Sequence, residues 1–275
     1  MVICDLHTHS TASDGQYAPS LVAEKAHEKG VKYLALTDHD TLSGIEEAKE
    51  KCEELGVNFI PGIELSTVHN KESVHVLGFF KGDEYKSQEL HDFLEDIKLK
   101  RIKRAEEIVD RLAKYYDIHI TVENILKNGK DTIARPHIAK TIIEAGYPYD
   151  KEYIFNNFIG DDCKAFVPAN KMSTEDGIAL LRKYNAIVVL AHPVLLKKNR
   201  YQDVVKLGFD GLEGVYALNT EADTEKFLNF AKDNNLISSC GSDSHGMEDD
   251  YGHGSIGSMS LPEEWVKKLL TVLNS

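Results

Sequence analysis

The chain has 275 residues, 42% of them hydrophobic, enough to bury a large core in one barrel-sized α/β domain or two smaller units. A net charge of −13 argues against a broad nucleic-acid-binding face, which would neutralise phosphates with many Lys and Arg, but admits a small anionic substrate where positive charge is supplied locally. No run approaches the roughly 20 apolar residues of a membrane span, the chain starts in a strand rather than a basic and then apolar leader, and Cys4, Cys52, Cys163 and Cys240 lack zinc-ribbon or redox spacing; a cytoplasmic protein with structural thiols is expected.

In chain order, "VICDL" (2–6), "YLALT" (33–37), "VNFIPGI" (57–63), "SVHVLGFF" (73–80), "AIVVLA" (186–191), "GLEGVY" (211–216) and "LISSCG" (236–241) read as seven strands. Amphipathic stretches separate them, and two close on Gly30 and Gly56, the residue a helix C-terminus favours. The last segment, "PEEWVKKLLTVL", opens with Pro262 and two acids, a good helix start. This alternation predicts βα units around a parallel sheet. Residues 82–167 break it with an almost wholly helical pattern, which predicts a helical subdomain inserted between the fourth and fifth strands, with 1–81 and 168–275 forming the barrel. At one rim of that barrel the insert would serve as a substrate cap.

Polar residues gather at the predicted strand ends. His7 and His9 follow strand one on the same side, because alternate side chains of a strand share a face. Asp14 lies in the next loop, "TDHD" places Asp38, His39 and Asp40 after strand two, and Glu64 ends strand three. His75 lies at the start of strand four, His192 at the end of strand five, and Asp243 and His245 after strand seven. In a parallel barrel these ends meet on one face. Six imidazoles and at least three carboxylates in one pocket would be costly to desolvate unpaired, whereas divalent cations satisfy both groups at once. Nine ligands exceed the need of one ion, so two or three are implied, with Glu64 as a bridge. Asp38 and Asp40 are candidates for catalytic support, orienting His39 or a coordinated water; a helix N-cap is an equally natural role for Asp40. His27, His69, His91, His119 and His253 read as solvated loop histidines.

Taken together, "DLHTHSTASDG", "ALTDHDT", "PGIELS", "VHVLGF", "LAHP" and "GSDSHG", in order from residue 5 to 246, resemble the polymerase and histidinol phosphatase (PHP) family of metal-dependent phosphoesterases. The resemblance implies a distorted (βα)7 barrel holding a trinuclear site of manganese, iron or zinc. By similarity His7, His9, Glu64 and Asp243 would hold the first ion; Glu64, His75 and His192 the second; Asp14, His39 and His245 the third. Some relatives have His where this chain has Asp14. The implied reaction is hydrolysis of a phosphate ester by an activated hydroxide, with a pocket rendered anion-seeking by its cations.

The insert bears on the substrate. "TIARPHIAK" puts Arg135 and His137 at a helix start, and Arg suits bidentate phosphate binding, although a surface arginine has the same local pattern. Family members with an "ARPH" insert resemble nucleoside 3′,5′-bisphosphate phosphatases and 5′-to-3′ exonucleases of short RNA; there a basic residue before "AFVP", here Lys164, also approaches phosphate, and His137 would hold a phosphate or protonate the leaving oxygen. The basic run at 98–104 spreads around its helix and reads as a solvated face, with guidance of an RNA tail as the other reading. A histidinol-phosphate or sugar-phosphate phosphatase and a non-catalytic metal-binding module are the alternatives. No obligate protein partner is evident.

Overall fold

The computed structural model describes residues 1–129, 133–168, 171–247 and 252–275. It divides into a unit of Met1–Leu90 with Lys171–Ser275 and a unit of His91–Asn170.

The first unit is a sheet that closes on itself. Its strands are β1 (Val2–Asp5), β2 (Tyr33–Leu36), β3 (Asn58–His69), β4 (Glu72–Phe80), β5 (Met172–Ser173), β6 (Ala186–Leu190), β7 (Gly211–Tyr216), β8 (Ile237–Gly241) and β9 (Ser260–Leu261). The order is β8-β7-β6-β4-β3-β2-β1-β9, with β5 beside β3. Closure comes from the main chain: Leu6 N–H donates to the Cys240 carbonyl, His9 N–H to Ser244, and Asp243 N–H to His7. Setting aside the two-residue strands β5 and β9, seven strands make this distorted barrel, on the segments expected for them.

The expected parallel order holds except at β4, which runs antiparallel to both β3 and β6. The reason is the connection. Only Asn70 and Lys71 separate β3 from β4, both with positive φ (47° and 63°), which is a tight hairpin; a parallel return would need a dozen or more residues. Glu64 accordingly does not end β3. The strand runs five residues past it, paired with β4 to His69↔Glu72, and Thr67 also pairs with Met172 of β5.

The barrel helices are α1 (Pro19–Glu28), α2 (Ile45–Leu55), α7 (Thr174–Lys183), α8 (Tyr201–Val205), α9 (Glu221–Asp233) and α10 (Glu263–Leu273). Gly56 ends α2 with φ of 71°, a left-handed conformation that glycine adopts without a Cβ penalty. Leu6, Ala35, Leu77, Phe79 and Val189 meet in the interior, and α10 buries Leu269 and Leu273 against them. Burying each of those leucines contributes about 1.5–3 kcal/mol.

The second unit has its own core. It contains most of α3 (Gln88–Tyr116), then α4 (Val122–Gly129), α5 (Arg135–Glu144), α6 (Lys151–Ile154) and a π-helical turn at Phe155–Ile159. Ala105, Ile108 and Leu112, spaced to share one face of α3, pack with Ile125, Ile138 and Ile142. Among the described residues no helix is long and apolar enough to cross a membrane.

Candidate metal centre

The strand ends deliver the expected histidines and acids to one place. His7 and His9 leave β1 on the same side, His39 follows β2, Glu64 and His75 are diagonal neighbours across the β3–β4 pairing, His192 follows β6, and Asp243 and His245 follow β8. Because β4 is antiparallel, His75 reaches this end from the first half of its strand. The imidazoles form a chain: ring centroids lie 4.3 Å apart for His9–His245, 4.7 Å for His9–His39, 5.0 Å for His39–His75 and 5.1 Å for His75–His192. Asp40, His192 and Asp243 adopt positive φ (52°, 28° and 55°), a region Asp tolerates and His enters less often.

Glu64 stands at the centre, 1% exposed. Its Oε1 lies 2.8 Å from His75 Nδ1 and 3.2 Å from His192 Nε2. Its Oε2 lies 3.0 Å from His39 Nδ1, 3.2 Å from His7 Nε2 and 3.3 Å from His9 Nε2. The two oxygens thus face two different sets of nitrogens.

Among the described residues four groups of potential ligand atoms lie within 4.8 Å of one another: His7, His9, Glu64 and Asp243; His39, Glu64 and His75; His9, Asp14, His39 and His245; and Asp243, His245 and His253. The first is the set expected for the first ion. The second contains Glu64 and His75 but has His39 where His192 was expected; His192 Nε2 lies 3.2 Å from Glu64 Oε1. The third contains Asp14, His39 and His245 and adds His9. Several of these atoms suit cations better than each other. His7 Nε2, both ring nitrogens of His9 and Glu64 Oε2 are buried without hydrogen-bond partners among the described residues, although carboxylate oxygens and imidazole nitrogens lie 3.0–3.3 Å apart. Unmatched polar atoms at this depth are costly, and divalent cations would satisfy them together.

The electrostatics are those of acids and bases forced together. Burial disfavours the His9 imidazolium, but the nearby carboxylates of Asp243 and Glu64 outweigh it and raise the pKa to about 10. His7 is likewise raised despite burial, by Asp243, Glu64 and Glu213. Burial penalises the Glu64 carboxylate too, yet His39, His7 and His75 hold its pKa well below the ordinary range. Burial wins at His75, lowering it to about 4 and leaving a neutral imidazole suited to ligation.

Asp38 and Asp40 hydrogen-bond to segments that carry candidate ligands. Asp38, 2% exposed, accepts hydrogen bonds from Ser10 N–H (2.7 Å), Ser10 Oγ (2.7 Å) and Ser13 Oγ (2.6 Å), tying down the loop that carries Asp14. Asp40 accepts from Ser66 N–H at 2.9 Å. The N-cap position of the next helix, α2, belongs to Gly44 rather than Asp40.

The substrate candidates lie in the helical unit. Arg135 pairs with Asp161 at 2.6 Å, donates to the Ile159 carbonyl at 3.2 Å, and sits over the rings of Phe155 and Phe166. His137 Nδ1 accepts from Ala134 N–H at 3.1 Å, closing the first turn of α5. Lys164 holds its backbone N–H to Tyr116 Oη and its Nζ 6.0 Å from the Tyr115 ring. In the basic run, Lys98 and Lys100 pair with Glu95 and Asp96, while Arg104 turns inward to the Val167 carbonyl.

Sequence reasoning missed three residues here. Glu213, fully buried, contacts His7, and Tyr216 Oη donates to Asp243. An acid inside the apolar run "GLEGVY" was the available signal, since a buried carboxylate requires partners. His253, expected to be a solvated loop residue, instead lies with its ring 4.2 Å from that of His245 and its Nε2 3.8 Å from Asp243 Oδ2.

Comparison with known proteins fits this geometry. The PHP domain profile matches residues 5–124. A 5′-3′ exoribonuclease of Haemophilus influenzae is 30% identical over 247 residues, covering 88% of this chain and 89% of that protein. A 3′,5′-nucleoside bisphosphate phosphatase of Chromobacterium violaceum is 27% identical over 264 residues, covering 92% of each. A Bifidobacterium adolescentis structure assigned to the metal-dependent phosphoesterases superposes with a TM-score of 0.79 at 29% identity, covering 98% of this chain and 95% of the other.

Proposed function

This chain belongs to the PHP domain family and is a metal-dependent phosphoesterase, and we propose that it hydrolyses a phosphate ester of a nucleotide, either a nucleoside 3′,5′-bisphosphate or the 5′ end of a short RNA. The observation that carries this reading is the split environment of Glu64, whose Oε1 meets His75 and His192 while its Oε2 meets His7, His9 and His39. A carboxylate so placed would be able to hold one cation with each of its oxygens.

Two or three divalent ions of manganese, iron or zinc would be held there. His7, His9, Glu64 and Asp243 form the first ligand set, Glu64, His75 and His192 the second, and Asp14, His39 and His245 the third. When bound, such ions lower the pKa of water toward neutrality and draw charge from the phosphoryl oxygens. The chain supplies the rest. Glu64 and the buried histidines fix the spacing, Asp38 holds the loop that presents Asp14, and Asp40 holds the backbone of Ser66 beside Glu64. Asp14 and His75, with side chains 19% and 24% exposed, mark the side open to the incoming phosphate.

The helical segment 82–167 is assigned to substrate recognition. There Arg135 and Lys164 bind phosphate and His137 binds phosphate or protonates the leaving oxygen, which requires Arg135 to exchange its pairing with Asp161. The place of action is the cytoplasm, the compartment that keeps Cys4, Cys52, Cys163 and Cys240 as free thiols.

The experiment is phosphate or mononucleotide release from adenosine 3′,5′-bisphosphate, AMP, histidinol phosphate and a 5′-phosphorylated RNA oligomer, with each metal added back separately. The reading expects adenosine 3′,5′-bisphosphate or the RNA to rank first. A faster reaction with histidinol phosphate would overturn the substrate assignment.

A further inference from the structure

Glu213 sits on β7 with none of its surface exposed, in a strand otherwise made of apolar and small residues. The pairing of β7 with β8 slips between Glu213 and Val215, a bulge that re-aims side chains at this point. One carboxylate oxygen, Oε1, lies 3.1 Å from His7 Nδ1. The other, Oε2, accepts the backbone N–H of His192 at 2.8 Å. His192 has a φ of 28°, a left-handed turn that a non-glycine residue keeps only when its surroundings hold it there. The neighbouring strand leaves room for this pair. A Cβ at Gly241 would come 2.2 Å from His7 Cβ and 2.5 Å from Glu213 Oε1, so glycine is needed for both groups to fit.

We propose that Glu213 is a positioning residue that fixes the tautomer of His7 and the turn of His192, tying ligands of two cations to one buried carboxylate. The inference rests on the metal-centre reading above. A carboxylate can only accept. Facing His7 Nδ1, it places the ring proton on that nitrogen and leaves the Nε2 lone pair pointing toward Glu64 Oε2 (3.2 Å) and Asp243 Oδ1 (3.3 Å), where a cation would lie. The same carboxylate holds the His192 amide, and with it the direction in which that ring leaves β6.

Glu213→Gln separates this role from simple space filling. A main-chain N–H can only donate, so the amide oxygen of Gln must face His192, and its NH2 then faces His7 Nδ1. That nitrogen becomes the acceptor, the ring proton moves to Nε2, and coordination there is blocked. Volume and apolar contacts barely change.

The test measures zinc binding to metal-stripped wild-type and E213Q protein by equilibrium dialysis with elemental analysis, together with long-range 15N–1H correlation spectra of the histidine rings in the zinc-loaded wild type. The expected results are a loss of about 10- to 100-fold in zinc affinity for E213Q, the size typical of a removed outer partner, and a His7 resonance with its proton on Nδ1. Wild-type zinc affinity in E213Q, or a His7 proton on Nε2, overturns the assignment of Glu213 while leaving the metal centre standing. Failure of the wild type itself to retain zinc overturns both. Should E213Q not fold, the wild-type tautomer decides alone.

Discussion

The phenol of Tyr216 donates a 3.0 Å hydrogen bond to Oδ2 of Asp243, so that Oδ1 is left to face His9 Nε2 at 3.0 Å and His7 Nε2 at 3.3 Å. Burial, reinforced by Asp243, pushes the Tyr216 pKa far above its usual value, which keeps it a donor throughout the neutral range. Tyr216→Phe removes that donor and little else. The affinity for manganese is expected to fall about tenfold with the fold intact, as for other partners that orient metal ligands. Calorimetric titration of the stripped protein checks this, and an unchanged affinity would show the hydrogen bond to be idle.

Glu64 is the residue on which both sets of histidines converge. Glu64→Ala should reduce phosphate release by at least about 100-fold, comparable to deleting a key electrostatic group in other active sites. His192→Ala should act in the same direction. Full activity of either variant in metal-replete buffer would refute the bridging role.

The pKa shifts predict the pH dependence of metal loading. In the metal-free protein His7 and His9 titrate above their ordinary 6.5, His9 at about 10. Their ion pairs therefore stabilise the fold fully below pH 6.5 and progressively less as pH rises toward 10. Glu64 and Asp14 are shifted below 4.5 and 3.8, so their contribution is present above those values and lost as pH falls through the shifted ones. His75, lowered to about 4, is neutral in the folded state and likewise favours the fold above 6.5. A cation must displace the protons on His7 and His9, which strengthens binding by about tenfold per pH unit for each proton released. The rise in melting temperature on adding zinc should be larger at pH 8 than at pH 6; an equal or reversed response would contradict these protonation states.

Arg135 offers a test of the helical unit. Its pair with Asp161 is exposed enough that Arg135→Ala should cost less than about 1 kcal/mol of stability. If the guanidinium instead serves phosphate, KM for adenosine 3′,5′-bisphosphate should rise by about 10- to 100-fold, the loss of a charged hydrogen bond, while turnover of a small aryl phosphate stays near wild type. Steady-state kinetics on both substrates separate the two effects.

Much of this arrangement was legible in the chain. His7 and His9 share a face because strands alternate, and the Gly30 and Gly56 stops appear where the helical patterns end, each with positive φ. The seven barrel strands fall where apolar runs predicted them. The direction of β4 was not legible from those runs, because periodicity carries no direction; the two-residue gap at Asn70 and Lys71 held that information. The extension of β3 past Glu64 depends on pairing with β4 across the hairpin and with β5 far along the chain, neither of which the apolar run of β3 itself encodes. Glu213 and Tyr216 were passed over because each sits within a run that reads as plain strand, and their importance arises only when the closed barrel brings His7 and Asp243 to them. His253 lies eight residues beyond His245 in sequence, and no periodic signal encodes their ring contact.

On the proposed reading, strand-end histidines and acids hold the cations needed to hydrolyse a nucleotide phosphate ester. The most direct measurement is phosphate release from adenosine 3′,5′-bisphosphate by stripped protein, titrated with manganese while bound metal is counted on the same samples. The account predicts no release at zero metal and a rate that climbs with occupancy to two or three ions per chain. Release that proceeds equally without bound metal, or a fully loaded protein that cleaves no nucleotide phosphate, would contradict it.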